Sequence, residues 1–374
     1  MTRLTRLVAA GIGIAAVPGW MLGIAPAVKA DSASAAYDAF ANASAFEVSI
    51  ANPSLPALPA LVGGGPEADA RQSSSGQGDA NASTPYTGDT VPGVPGVAGA
   101  LFGLPVPPFP FIASSTRGTP PVRTSYPGVE LTARSDDFST AAKAVLGSDG
   151  AGANASARVD QNSAGDVVAR AVTEASNLQI GALMSLSNFR TIAETKADGF
   201  TGKITRFSST SIGGIDVPGL VLRLPEQSPG KAPLPVPIPG VPNQEPLDLP
   251  PFPVPMGGTT LSDPKIGLRE GTFTLTQPVD GKPQTFALPT QPVLDAFKAA
   301  GVTLTYQSAS QLPKGISSGT YTFRYTIPAP PPNSGYNGPT DVIQSTGAAS
   351  ALVDFAVAGQ AATTGGPGVS AGPA

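Results

Sequence analysis

The 374-residue chain contains no cysteine and no histidine. The first absence excludes disulfides, a thiolate nucleophile and the lipid-bearing cysteine of a bacterial lipoprotein anchor. The second removes the usual proton shuttle near neutral pH. Together they exclude Ser-His-Asp and Cys-His catalysis, and the nitrogen and sulfur ligand sets of ordinary zinc sites. Charge is also sparse, at 13% of residues, and aromatics make up only 6%. The chemistry left to such a chain runs through oxygen: paired carboxylates, a Ser-Lys dyad or calcium held by oxygen ligands. A non-enzymatic protein without a cofactor is the expectation, and no catalytic, cofactor-binding or metal residue is assigned.

The N-terminus has the three-part layout of a secretory signal. Arg3 and Arg6 precede a run from Leu7 to Val28 of mostly Ala, Gly, Ile, Leu and Val, and no acidic residue occurs before Asp31. Val28-Lys29-Ala30 ends in small residues suited to a peptidase, and Ala33-Ser34-Ala35 offers a second site. Residues 1–30 are therefore expected to be a signal peptide cleaved after Ala30, with Ala35 the alternative. The apolar run is long enough to reach across a hydrocarbon core of about 30 Å. Pro18, Pro26 and the cleavage grammar favour removal, leaving a secreted, extracytoplasmic chain with no transmembrane segment. Loss of Arg3, Arg6 and Lys29, with no acid among them, moves the net charge from −4 to −7. An acidic surface disfavours nucleic acid and anionic headgroups as partners.

Short motifs add little. Gly368-Val369-Ser370-Ala371-Gly372 fits the G-x-S-x-G elbow, but it lies in a Gly/Pro/Ala tail and has no histidine to serve it. Asp160-Gln161-Asn162-Ser163-Ala164-Gly165 begins like a calcium loop. Ala164 and Ala171 occupy ligand positions, so a polar hairpin turn is expected. Asp136 with Asp137, and Glu194 with Asp198, are carboxylates in polar stretches where solvated surface is the default. Ser139 and Lys143 lack the S-x-x-K spacing of the penicillin-recognising enzymes. Asn42, Asn81 and Asn154 each open an N-A-S sequon in a chain rich in Ala and Ser.

The chain carries 44 glycines and 42 prolines, and they are clustered. Pro-rich crossover segments at 91–112 and 225–256 are expected to be extended, with their Phe and Val side chains packed on the domain. The tail 361–374 reads as disordered. Between them, period-two alternation marks strands: Phe46, Val48 and Ile50; Leu178 through Leu186; Leu220, Leu222 and Leu224; Phe273 with Leu275; Phe286 with Leu288; and Tyr321, Phe323, Tyr325 and Ile327. Asp280-Gly281 is a hairpin signal, and Asp198-Gly199 is expected to act likewise. One helix is expected at about 291–300, capped by Thr290 or Gln291 and closed by Gly301, with Val293, Phe297 and Ala300 on one face. A strand with Val302, Leu304 and Tyr306 on one side follows. Residues 136–146 also have helical spacing, although their Ser, Thr and Ala would suit a strand. The sum is a mainly β fold: a single domain over 36–360 of long, curved antiparallel sheet with one packed helix.

The stretches NLQIGALMSLSNFRTIAETKADG, GGIDVPGLVLRLPE and PVLDAFKAAGVTLTY, with the Ala-rich start after the leader, resemble exported actinobacterial Ala/Thr/Gly-rich β proteins of unassigned function. The resemblance covers most of 36–360. It implies a β protein of the cell envelope and carries over no activity and no functional residues. The leading expectation is a structural or adhesive envelope protein whose partners are envelope components. The alternative is an extracytoplasmic carrier of an apolar ligand such as a lipid, held between sheet and helix. A carboxylate-dependent glycan hydrolase is a third reading.

Overall fold

A computed structural model describes residues 35–51, 61–84, 111–148, 151–180, 184–218, 220–223, 260–262, 264–279, 282–328 and 339–357. The leader with Ala30, the Pro-rich tracts apart from Phe111 and Ile112, the Asp280-Gly281 signal, the G-x-S-x-G motif and the tail lie outside them. Ala35 is the first described residue and directly precedes a strand.

The first sheet opens with β1 (Ala36–Ala51), β2 (Leu61–Gly64), β3 (Glu67–Ser73), β4 (Gly78–Thr84) and β5 (Phe111–Thr116). The chain then builds a second sheet from β6 (Val122–Tyr126), β7 (Val129–Ser135), β8 (Ser139–Ser148), β9 (Ala151–Gln161), β10 (Val167–Ile180), β11 (Met184–Ala197) and β12 (Ile204–Asp216). A separate pair, β13 (Val221–Arg223) with β14 (Thr260–Ser262), comes before β15 (Ile266–Arg269), β16 (Thr272–Val279) and β17 (Lys282–Ala287) complete it. Helix α1 (Thr290–Ala299) leads back to the first sheet through β18 (Val302–Gln307), β19 (Ser310–Leu312), β20 (Gly315–Ser317), β21 (Thr320–Ile327) and β22 (Thr340–Ala356). Among the described residues, each of the two large sheets has ten strands, all pairings are antiparallel, and the expected mainly β class with one helix holds. β1 and β22 lie side by side in the middle of the first sheet, Ala36 opposite Ala356 and Ala51 opposite Asp341.

The two sheets meet face to face through alanine. Ala39, Ala41 and Ala43 of β1, Ala68 and Ala70 of β3, and Ala80 and Ala82 of β4 point inward. They face Ala142 and Ala144 of β8, Ala155 and Ala157 of β9, and Ala169 and Ala171 of β10. A buried methyl contributes far less than the about 1.5–3 kcal/mol of a buried Leu or Phe. Its small size compensates by letting backbones approach. Cα atoms of β1 and β10, and of β3 and β9, come within 8 Å, against about 10 Å for ordinary sheet packing. The Thr195 hydroxyl crosses the gap and donates to the Ala351 carbonyl at 2.7 Å.

At the other end the interior is built from large side chains: Met184, Leu186, Phe189, Ile212, Ile215, Tyr321 and Phe323 are all buried. Here α1 packs against β18 and β16 and inserts Val293 and Phe297. The change of filling coincides with a line of irregularities crossing both sheets. In β22 the inward positions are Val342, Gln344 and Thr346 before Gly347, and Ala349, Ala351 and Val353 after it. In β11 they are Met184 and Leu186 before Asn188, and Phe189, Thr191 and Ala193 after it. Asn188 and Gly347 both have positive φ, at 52° and 79°. The register of β12 against β15 shifts between Ile212 and Ile215. One extra residue per strand turns the pleat over, as at a β-bulge.

Several local expectations are corrected. Residues 139–148 form β8 and not a helix, because Thr140, Ala142 and Ala144 supply a buried face at period two. The run Leu178–Leu186 is not one strand: β10 ends at Ile180 and β11 begins at Met184, with Leu178 opposite Leu186 across a hairpin. Asp198-Gly199 does lie in a hairpin turn, as expected, joining the paired β11 and β12: the Asp198 N–H donates to the Lys203 carbonyl, and Ala197 is opposite Ile204. Neither Thr290 nor Gln291 caps the helix; Pro289 is the N-cap and no side chain bonds there. Ile327 is exposed, while Tyr321, Phe323 and Tyr325 are buried as expected. The 160–165 segment does form a polar hairpin turn, Asn162 Oδ1 accepting from the N–H groups of Ala164 and Asp166. Both Pro-rich tracts join paired strands, Thr84 being opposite Phe111 and Arg223 opposite Thr260.

Candidate functional site

The carboxylates singled out in the sequence are held in turns and ion pairs. Asp136 Oδ1 accepts from the N–H groups of Phe138 and Ser139 at 2.9 and 2.7 Å. Asp137 pairs with Arg117 at 2.8 Å, and Glu194 with Arg170 at 3.2 Å. Asp198 Oδ1 accepts from Thr201 and Phe200 and closes the β11–β12 turn, which lowers its pKa. Ser139 donates to Asp160 at 2.8 Å. Lys143 is four residues further along the same strand, about 13 Å away at the rise of a β-strand. The structure therefore does not bring Ser139 and Lys143 together as a dyad. Asn42, Asn81 and Asn154 are mid-strand, and Asn81 donates to Asp69.

A polar cluster between the two sheets was not legible in the sequence. Glu270, with φ of 47°, forms the β15–β16 turn with Gly271. Glu270 accepts from the Tyr306 hydroxyl at 2.5 Å and from the Thr210 N–H at 2.6 Å. The Tyr321 hydroxyl accepts from the Gly271 N–H at 3.3 Å, and the Tyr306 and Tyr321 rings lie 4.8 Å apart. Thr210 Oγ1 donates to the Gly319 carbonyl at 3.0 Å. The cluster thus ties β12 and the β15–β16 turn of one sheet to β18 and β21 of the other. Burial raises both phenol pKa values above their ordinary value, and Glu270 adds to both shifts. Gly271 and Gly319 matter because a Cβ on either would strike the Tyr306 ring. An Arg-Glu-Gly turn between two strands is the only hint the sequence held.

A second cluster sits at the turns of the second sheet. Asp166 accepts from the Gly199 N–H at 2.9 Å and pairs with Lys196 at 2.8 Å. The backbone donor first, and Lys196 next, hold its carboxyl down at about 2. On the outer face of the first sheet, burial raises the pKa values of Glu67 and Asp69.

Two shallow concavities open on the outer face of the second sheet. One, of about 390 Å³, lies over β7–β10 and is lined by Thr132, Arg134, Ala141, Lys143, Ser156, Arg158 and Arg170. The other, of about 380 Å³, lies over β11, β12, β15 and β16 and includes Arg190, Phe207 and Arg269. Among the described residues no group of three or more acidic side chains could hold a metal ion. Among them, too, no helix is long and apolar enough to cross a membrane. No protein-family model matches the chain, and no curated protein matches it significantly.

Proposed function

We propose that the mature chain is an exported, cell-envelope-associated protein with a structural or adhesive role, acting through its surfaces and without catalysis. One observation carries this reading: among the described residues, buried side chains occupy the facing surfaces of the two sheets at both ends. Alanine methyls close the gap between the sheets at one end. At the other, Phe189, Tyr321 and Phe323 are buried in one cluster with Val293 and Phe297 of the helix, in the region where an apolar ligand would sit. Packing of this kind supports a rigid body over a carrier. The carboxylates named from the sequence are occupied as turn caps and ion-pair partners, which leaves the hydrolase reading without a pair.

The test is to fractionate producing cells and to bind the purified mature chain to washed envelope fragments. Recovery outside the cytoplasm, with saturable binding to the fragments, is the expected result. Cytoplasmic retention, or export with no binding, would overturn the proposal. Stoichiometric lipid in a solvent extract of the purified protein would replace it with the carrier.

A further inference from the structure

The first concavity has a floor of small residues and a cationic rim. Ala141 lies between Arg134 of β7 and Arg158 of β9, each directly opposite it, and Arg170 of β10 is directly opposite Arg158. This row crosses four strands, about 14 Å at an inter-strand spacing of about 4.8 Å. Lys143 stands beside it on β8, opposite Thr132 and Ser156. Arg158 and Arg170 each hold one carboxylate, Asp160 and Glu194. Among the described residues, Arg134 and Lys143 make no ion pair. Four cations thus meet two carboxylates in one groove, on a chain whose net charge is −4.

Two guanidinium groups directly opposite each other on neighbouring strands destabilise a sheet. Here Asp160 and Glu194 offset Arg158 and Arg170, whereas Arg134 and Lys143 bring further positive charge to the same groove with no ion pair among the described residues. We infer that this groove binds an acidic polysaccharide, its carboxylates or phosphates lying along the Arg134–Arg170 row. The inference rests on the surface-acting reading above and names the partner's chemistry. Charge complementarity commits it to an anion. The spacing selects the polymer: Arg158 and Arg170 stand one strand apart and Arg134 two strands from Arg158, multiples of about 4.8 Å that suit the repeat of an extended sugar chain. An extended peptide presents same-face side chains only every two residues, about 6.6 Å. It would also find no open backbone here, because β7–β10 are paired on both sides. Thr132 and Ser156 add hydroxyls to the floor. The groove has no aromatic residue on which a neutral sugar would stack.

The experiment measures binding of the purified mature chain to polygalacturonate, with dextran and poly-glutamate as comparators. Micromolar-range binding to polygalacturonate that weakens as salt rises is expected, with none to dextran and weaker binding to poly-glutamate. The double variant Arg134→Glu, Lys143→Glu should lose about tenfold or more in affinity. Ala141→Phe, which fills the floor without changing charge, should lose binding as well. Arg324→Glu, at an exposed site on the first sheet, should leave it unchanged. All three are outward-facing, and unchanged circular dichroism and melting check the fold. Equal binding to poly-glutamate, or an unaffected double variant, overturns the groove assignment. If the double variant still binds envelope fragments like the parent, only the groove fails. If the parent binds no fragments, the surface-acting reading fails with it.

Discussion

Gly347 of the first sheet faces the ring of Phe189 of the second so closely that a Cβ on Gly347 would lie 2.5 Å from Phe189 Cζ. The same Cβ would strike the Thr191 hydroxyl, and the backbone there has φ of 79°. This is the point at which the pleat turns over and the alanine interior gives way to the aromatic one. Only glycine satisfies both the conformation and the space.

Gly347→Ala should therefore destabilise the fold by about 3 kcal/mol. A left-handed non-glycine residue costs about 1–2 kcal/mol, and overpacking adds about 1–3. Urea denaturation reads the difference as a shift in midpoint at constant slope. A variant as stable as the parent would show that the two sheets separate freely at this point.

The alanine interface makes the opposite prediction from an ordinary core, where larger apolar residues are tolerated nearby. Ala171→Leu, placed where Cα atoms of facing strands lie within 8 Å, should cost about 3 kcal/mol or more by forcing the sheets apart. Phe323→Leu at the wide end removes volume and should cost about 1–2 kcal/mol. A stabilising Ala171→Leu in the same denaturation series would mean the gap holds unfilled space.

These two ends also explain what the sequence disclosed. Tyr321, Phe323 and Tyr325 announced their strand because large apolar side chains alternate with Thr and Arg. The strands EADARQS and GDANAST did not, since their inward residues are Ala68, Ala70, Ala80 and Ala82. Alanine is weakly hydrophobic and the best helix former, so 136–146 read equally as helix. The signal was present as Ala at every second position across β1, β3, β4, β8, β9 and β10. The helix was legible through Pro292, Gly301 and the Val293–Phe297 spacing. The Glu270–Tyr306 pair and the Arg158–Arg170 row were not, because each depends on strand register between segments separated in sequence.

Buried hydroxyls separate into those with partners and those without. Thr195 donates across the sheets to Ala351, whereas Thr173 Oγ1 is buried with no partner. Thr195→Val should cost about 1–2 kcal/mol, because it removes the bond and leaves the carbonyl one partner short. Thr173→Val removes a desolvated group that gains nothing and should be neutral or stabilising by up to about 1 kcal/mol. Melting temperatures of the two variants should move in different directions or by clearly different amounts. A similar loss in both would remove the inter-sheet bond from the account.

The tyrosine–carboxylate pair makes stability depend on alkaline pH. Burial and the bond to Glu270 raise the Tyr306 phenol above its unfolded value near 10. A group raised in the folded state contributes stability that is fully present below the unfolded pKa and is lost as pH climbs toward the folded one. The parent should therefore weaken steadily above about pH 10. Tyr306→Phe should lose about 2 kcal/mol at neutral pH, as expected for a bond to a charged acceptor, and its alkaline decline should be shallower. Chemical denaturation at a series of pH values measures both. An unchanged slope in Tyr306→Phe would remove Tyr306 from the linkage and leave Tyr321 as its source.

Asp166 should contribute to the acid limb. Its folded pKa is held at about 2 by the Gly199 N–H and Lys196, against an ordinary 3.8. The depressed value means its contribution is fully present above about pH 4 and is lost as pH falls through 2. Asp166→Asn keeps one acceptor for Gly199 but drops the charge that Lys196 pairs with. The variant should be less stable than the parent at neutral pH. Its stability should also fall less steeply between pH 4 and 2, because one proton fewer is taken up on unfolding there. Denaturation midpoints across that interval decide the matter: parallel curves for parent and variant would place the acid sensitivity on another carboxylate, with Asp198 the next to test.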